Sequence, residues 1–328
     1  MSPRTTLRPF TSEDKLFLMI NRTRVSLGLE LQFDSPPPLP ETSHNIPSVP
    51  RFLQPPQDTW TPVRAPVCLA GMPAEPSPVI EFRDVSYRVE QTQVLSGLSL
   101  QATQGETLML LGRSGSGKTT ALKLVNRLVT PTSGEIRVRG TSNVEVDVIH
   151  LRRGIGYVIQ DVGLFPHFTV ERNVGLVPRI EGWSEDRVGA RVRELLQLVG
   201  LAPEFASRYP RQLSGGQRQR VGVARALAAD PEILLMDEPF GALDPLTRDE
   251  LQREFLSLQQ RLRKTVLFVT HDLREALRLG SRIALMEAGK LVTALSPREF
   301  LNSADPRVSA YVRAFEDKLV SPAHRGTS

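Results

Sequence analysis

From residue 79 onward, short apolar runs alternate with amphipathic stretches. Val79-Ile80-Glu81-Phe82-Arg83-Asp84-Val85 alternates apolar and polar positions, the period of a half-buried strand. Val94 to Leu100 predicts a second strand. Thr107-Leu108-Met109-Leu110-Leu111 is apolar almost throughout, which predicts a buried strand. Ile136 to Val138, Ile155 to Ile159, Ile233 to Met236, Val266 to Val269 and Ile283 to Met286 predict further short strands. Helical spacing lies between them, over Lys118–Leu128, Glu185–Val199, Gly215–Ala229 and Arg248–Arg263. Strands alternating with helices predict an α/β fold with a mostly parallel sheet covered on both faces. The stretch from about Val170 to Ala229 is helix-rich and lacks strand signals, which predicts a helical subdomain inserted in the sheet. No internal repeat is visible.

Composition changes the picture only before residue 78. Fifteen of the 26 prolines fall in residues 1–78, including Pro36-Pro37-Pro38 and Pro55-Pro56. Proline fixes φ and removes a backbone donor, so residues 1–77 read as a disordered, Pro-rich extension. A short helix over Lys15 to Phe33, a docking arm, and a true start at Met72 are the readings left open. The intact mass of the native protein decides the last: a mass counted from Met1 excludes it. No run reaches the 18 or so apolar residues of a membrane span, and the start Met1-Ser2-Pro3-Arg4 leads into no secretory signal. The single Cys68 forms no internal disulfide and fits a reducing compartment. A net charge of +5 without a dense Lys/Arg block reads as a solvated basic surface, and no nucleic-acid partner is expected.

The chemistry starts at Gly112-Arg113-Ser114-Gly115-Ser116-Gly117-Lys118-Thr119, which matches G-x-x-x-x-G-K-[ST] between a predicted strand and a predicted helix. Glycines let backbone N–H groups turn toward phosphates, and the helix N-terminus adds partial positive charge. Lys118 supplies a point charge for the outer phosphates, and the Thr119 hydroxyl suits Mg²⁺. An ordinary Gly/Ser turn is the plain alternative. Ile233-Leu234-Leu235-Met236-Asp237-Glu238 is an apolar strand ending in two carboxylates. Ligands in such sheets bind beyond the carboxyl ends of the strands. Asp237 there would hold Mg²⁺, and Glu238 would act as general base on the attacking water.

Leu213-Ser214-Gly215-Gly216-Gln217 resembles the signature of ABC transporter ATPases. Its physics is a second anion site at the start of a helix, although five such residues also make a plain helix cap. Other positions match the family one by one. The resemblance implies that Tyr87 stacks on adenine and that Thr120 joins Gly112 to Thr119 in binding ATP. It implies that Gln160 contacts Mg²⁺ and senses the membrane partner, and that Asp244 communicates across a dimer. His271 resembles the switch histidine at the γ-phosphate. For Tyr87, a strand residue packing on a neighbour is the plain reading, and for Asp244 a helix cap ahead of Pro245. His44, His150, His167 and His324 carry no role.

The resemblance covers about Val79 to Asp317. It implies a P-loop NTPase fold of the ABC type: a mostly parallel core sheet, an antiparallel β part and the inserted helical subdomain. It places the ATP-binding domain over residues 78–318 and leaves 319–328 as a tail. It also implies a homodimer in which the loop of one subunit faces the signature of the other across ATP. Transmembrane permease subunits would meet the segment Asp161 to Val177 on the cytoplasmic face of the membrane. An extracytoplasmic solute-binding protein would act indirectly.

Gly154 to Val170, Leu122 to Gly134, and Val177-Pro178 ahead of Gly182-Trp183 resemble the osmoprotectant importer ATPases, which carry glycine betaine, choline or carnitine. Other small-solute importers remain the near alternative. A soluble ATPase of translation or DNA repair is less favoured. About 100 residues separate Gly112 from Leu213, with no long heptad run and only one set of motifs. A non-enzymatic scaffold would lack Glu238 or His271. About 57 residues follow His271, too few for the tandem regulatory module or the C-terminal barrel of some family members.

Overall fold

The computed structural model describes residues 78–160 and 162–320, with side chains to residue 315. The expectations for residues 1–77, for Asp161 and for 321–328 lie outside the described residues.

Two sheets form: the mostly parallel one that the alternation of strands and helices predicts, and the antiparallel part that the family resemblance implies. Strands β1 (Pro78–Val89), β2 (Thr92–Thr103), β4 (Ser133–Val138) and β5 (Thr141–Ser142) make an antiparallel sheet in the order β2-β1-β4-β5. Phe82 pairs with Leu100 on one side and Ile136 on the other. Strands β3 (Thr107–Leu111), β6 (Ile155–Val158), β7 (Ile233–Asp237), β8 (Thr265–Thr270), β9 (Arg282–Glu287) and β10 (Lys290–Leu295) form the second, in the order β10-β9-β3-β8-β7-β6. It is parallel except for β10, which folds back antiparallel on β9.

Every residue of β3, β7 and β8 is buried, as strands covered on both faces require. Alternate side chains feed two cores. Met109, Leu111, Leu234, Met236, Val266 and Phe268 face the helical subdomain. Leu108, Leu110, Ile233, Leu235, Leu267 and Val269 face the antiparallel sheet and the helix Lys118–Val125. One face of the parallel sheet is therefore covered by strands as well as helix, because β1 and β4 each have a buried side to place there.

The strand-free stretch does form helices: Val170–Val174, Leu176–Ile180, Glu185–Leu198 and Gly215–Leu227. In Glu185–Leu198 the buried positions are 188, 192, 195 and 196, a single apolar stripe. Two elements lack a strong local signal. Strand β10 is half-buried from Leu291 to Leu295. The helix Pro306–Val320 docks through buried Val308 and Val312.

Asn143, almost wholly buried, donates from Nδ2 to the carbonyls of Leu124 (2.8 Å) and Val125 (3.3 Å) at the end of the helix that follows the glycine loop. Replacing it with Leu would remove a buried donor: Leu124 O keeps the Arg127 N–H at 3.1 Å, while Val125 O loses its donor. We expect Asn143→Leu to cost about 2 kcal/mol of folding stability, read as a lower urea midpoint at unchanged slope. An unmoved midpoint would show that the carbonyls find other partners.

Candidate functional site

Strand order assembles the site. Strand β3 lies next to β8, and β8 next to β7, all parallel. Leu111 pairs with Thr270, and Asp237 with Val269, so the three strands end side by side. The loop leaving β3, the carboxylates ending β7 and the histidine following β8 thus share one edge. Gln160, exposed, follows β6 on the far side of β7.

The glycine loop is held by close packing. A Cβ on Gly117, at φ 95°, would lie 2.5 Å from Leu95 Cδ2. Gly117 is also the cap of helix Lys118–Val125 and makes no side-chain cap bond, so the first N–H groups of that helix are left to an anion. Lys118 is only 5% exposed. Its ammonium donates to the carbonyls of Gly112 and Arg113, each at 2.8 Å, and to Ser116 Oγ at 3.3 Å. Burial pushes its pKa down, and the charges of Glu238 and Asp237 pull it back up. Arg113, Ser114 and Gly115 are exposed, Ser116 is buried and Thr120 is half-buried.

Thr119 Oγ1 donates to Asp237 Oδ1 at 2.9 Å. Burial pushes the Asp237 carboxyl up, and the bond from Thr119 opposes it. Beside it, Glu238 holds a left-handed backbone, φ 44°, with its N–H donating to Val269 O at 3.0 Å. Such a conformation costs a non-glycine residue on the order of 1 kcal/mol or more and is concentrated at functional sites. It aims the side chain at the neighbouring strand end, where Glu238 Oε2 lies 3.1 Å from His271 Nδ1. A carboxylate and an imidazole in contact beyond a phosphate-type loop can orient and deprotonate water.

Three supporting groups escaped the sequence reading. Glu275, 4% exposed, accepts from Thr270 Oγ1 at 2.6 Å and from Gln252 Nε2 at 3.1 Å, and burial pushes its pKa up. The same Thr270 hydroxyl accepts from Asp272 N, fixing the strand end on which His271 sits. From the C-terminal helix, Tyr311 donates its hydroxyl to the His271 carbonyl at 3.3 Å, and burial pushes its pKa up to about 12. Asn173, fully buried, donates to the carbonyls of Phe165, Phe168 and Thr169 and accepts from Phe165 N, which shapes the segment after Gln160. A polar residue at an apolar position was the only available signal for Asn173 and Glu275.

Tyr87 is half-buried on β1, opposite Leu95. The signature lies elsewhere. Leu213 is buried, and Ser214 caps helix Gly215–Leu227 in a reciprocal capping box with Gln217. Its neighbours are on the segment after Glu238. A Cβ on Gly216 would lie 2.5 Å from Thr247 Cγ2, and one on Gly215 3.7 Å from Leu243 Cδ2. Asp244 caps helix Pro245–Leu262 by accepting from Thr247 N at 3.1 Å. Among the described residues, no hydrogen bond or ion pair joins 213–217 or Asp244 to the glycine loop. We expect Gly216→Ala to cost about 1–2 kcal/mol by forcing Thr247 aside, while Gly215→Ala leaves the thermal midpoint where it was or raises it. Matching midpoints for the two variants would refute that packing.

The ABC transporter family profile matches residues 95–241. The glycine betaine/carnitine/choline transport ATP-binding protein OpuCA of Bacillus subtilis is 50% identical over 67% of this chain and 58% of its own length. The chain thus spans about three fifths of that relative. The glycine betaine uptake system ATP-binding protein YehX of Escherichia coli is 49% identical over 68% of this chain and 72% of YehX. A dimeric post-hydrolysis structure of the ATP-binding cassette MJ0796 bound to ADP and Pi superposes with a TM-score of 0.61. It has 33% identity and covers 67% of this chain and 99% of that one. Identical to YehX at 49% of 223 aligned positions that span 72% of that protein, and sharing the fold of a solved ATP-binding cassette, the chain belongs to the ABC transporter family.

Proposed function

We propose that the chain is the ATP-hydrolysing subunit of an ABC importer for quaternary-amine osmoprotectants such as glycine betaine, choline or carnitine. Identity near 50% with relatives named for these solutes carries the substrate class. The convergence of Lys118, Thr119, Asp237, Glu238 and His271 at one sheet edge supports the chemistry.

In this reading Gly112 to Thr120 cradle the phosphates of ATP, Tyr87 stacks on adenine, and Lys118 turns its ammonium from the loop carbonyls toward the outer phosphates. The Thr119 hydroxyl, the Asp237 carboxylate and the Gln160 amide oxygen form a hard-oxygen donor set that fits Mg²⁺. When bound, Mg²⁺ would neutralise phosphate charge. Glu238 takes the proton of the attacking water, and His271 holds Glu238 and the γ-phosphate in register.

The signature packs away from the loop, so one chain offers two half-sites. A head-to-tail homodimer joins them, with Ser214 to Gln217 of one subunit closing on ATP held by the other and Asp244 relaying across the interface. The MJ0796 cassette is described as dimeric. Among the described residues no helix is long and apolar enough to cross a membrane. In this reading translocation belongs to transmembrane permease subunits, which dock this peripheral subunit at the cytoplasmic face through the segment ending at Val177.

The test is uptake of labelled glycine betaine, choline and carnitine by cells with and without the chain. Loss of uptake of at least one is the expected result. Unchanged uptake of all three, with ATP hydrolysis intact, would assign the subunit to another small-solute importer.

A further inference from the structure

The helix that opens on the signature carries a second feature near its other end. Arg225 donates from Nη1 to Gly163 O at 2.7 Å and from Nη2 to Val162 O at 2.5 Å. These are consecutive carbonyls 62 and 63 residues back along the chain, just beyond Gln160. Both residues are left-handed, Val162 at φ 56° and Gly163 at φ 55°. For a β-branched residue that is a strained backbone, and such strain persists only where the surroundings over-determine it.

Two contacts do so here. The planar guanidinium spans both carbonyls, a geometry that a lysine's single ammonium does not reproduce. One turn back on the same face, Gly222 has no side chain, and Val162 occupies the gap: a Cβ on Gly222 would lie 2.5 Å from Val162 Cγ1. Burial lowers the pKa of Arg225, and among the described residues its hydrogen-bond partners are those two carbonyls. Ser214 and Arg225 are eleven residues apart on one continuous helix, about 16 Å at 1.5 Å per residue. A rigid rod therefore links the ATP-facing end of the signature to the turn after Gln160.

We propose that Arg225 is a positioning residue that clamps the Val162–Gly163 turn onto the signature helix, so that this turn and Ser214 move as one body. The proposal rests on the functional reading above, in which Ser214 meets ATP and the segment after Gln160 meets the membrane partner. The clamp carries displacement between those two surfaces without either ligand touching Arg225.

Hydrogen exchange on the full chain tests this, in a Glu238→Gln background that retains ATP. ATP-Mg²⁺ is expected to slow exchange at 112–120, at 213–227 and at 162–170. With Arg225→Lys added, protection at 112–120 and 213–227 stays and protection at 162–170 is lost, with ATP affinity changed by about twofold at most. With Glu238 intact, Arg225→Lys lowers kcat about tenfold at a nearly constant KM. A residue of merely structural importance would lower all protections and the thermal midpoint together. ATP protection at 162–170 that survives Arg225→Lys, or that never accompanies protection at 213–227, overturns the clamp. Should Arg225→Lys not fold, Gly222→Ala lifts Val162 off the helix with Arg225 in place and is read the same way. Absence of ATP protection at 112–120 in the parent would instead overturn the functional reading.

Discussion

Glu238→Gln protein is expected to bind ATP as the wild type does and to lose ATP turnover by about a thousandfold, the scale of a removed general base. The substitution keeps the shape of the side chain and its place 3.1 Å from His271, and removes only its basicity. The glycine loop and Lys118 are untouched, so affinity has no reason to fall. Trapped ATP should hold two subunits together, since each half-site would remain bridged by phosphate charge. A coupled phosphate assay reads the turnover, and light scattering with ATP-Mg²⁺ reads the mass. A monomer at saturating ATP would count against the paired half-sites, and residual turnover near the wild-type level against the role of Glu238.

Lys118→Ala is expected to do the reverse and weaken binding itself. A charge-assisted contact of about 2 kcal/mol corresponds to about a thirtyfold loss of affinity. The effect should also appear as lost protection from heat. At an ATP concentration of about 100 times the wild-type Kd, ligand linkage stabilises the wild type by about 2.7 kcal/mol, and the variant by about 0.9 kcal/mol. The ammonium sits against the carbonyls of Gly112 and Arg113 with burial disfavouring its charge, so ATP relieves an electrostatic cost already present in the fold. Equal loss of ATP binding in Glu238→Gln and Lys118→Ala would refute the division between a base and a phosphate ligand.

The motifs legible in the sequence share a trait: each is local. The glycine loop, the Asp237-Glu238 pair and the signature are runs of residues whose backbone or side chains act together because they are adjacent in the chain. Fully apolar strands such as Thr107 to Leu111 are legible for the same reason, since burial on both faces leaves no polar position. The helix forecasts hold to within a few residues. Lys118–Val125 ends three residues before the Leu128 expected, and helix Pro245–Leu262 starts earlier than Arg248 because Asp244 caps it ahead of Pro245.

Asn143, Glu275 and Tyr311 are different. Each supports the site through one or two bonds to distant backbone or side chains, and nothing in the neighbouring sequence distinguishes such a residue from a surface polar one. For Asp244 the structure shows the plainer of its two readings, a helix cap ahead of Pro245, and any role across a dimer would be added to that.

The sequence by itself determined which groups are on offer: a glycine loop ahead of a helix, a threonine hydroxyl, two carboxylates ending a strand, a histidine following another and a second glycine-rich helix start. Only the tertiary structure decided which of them meet. Thr119 reaches Asp237 across 118 residues, and Glu238 reaches His271, because β3, β8 and β7 lie side by side and parallel. Strand order is set by how two cores pack on opposite faces of the sheet, a global balance of buried area to which no local period gives access. The same balance packs Gly215 and Gly216 on Leu243 and Thr247 rather than on the loop, the arrangement from which the proposed pairing of half-sites starts.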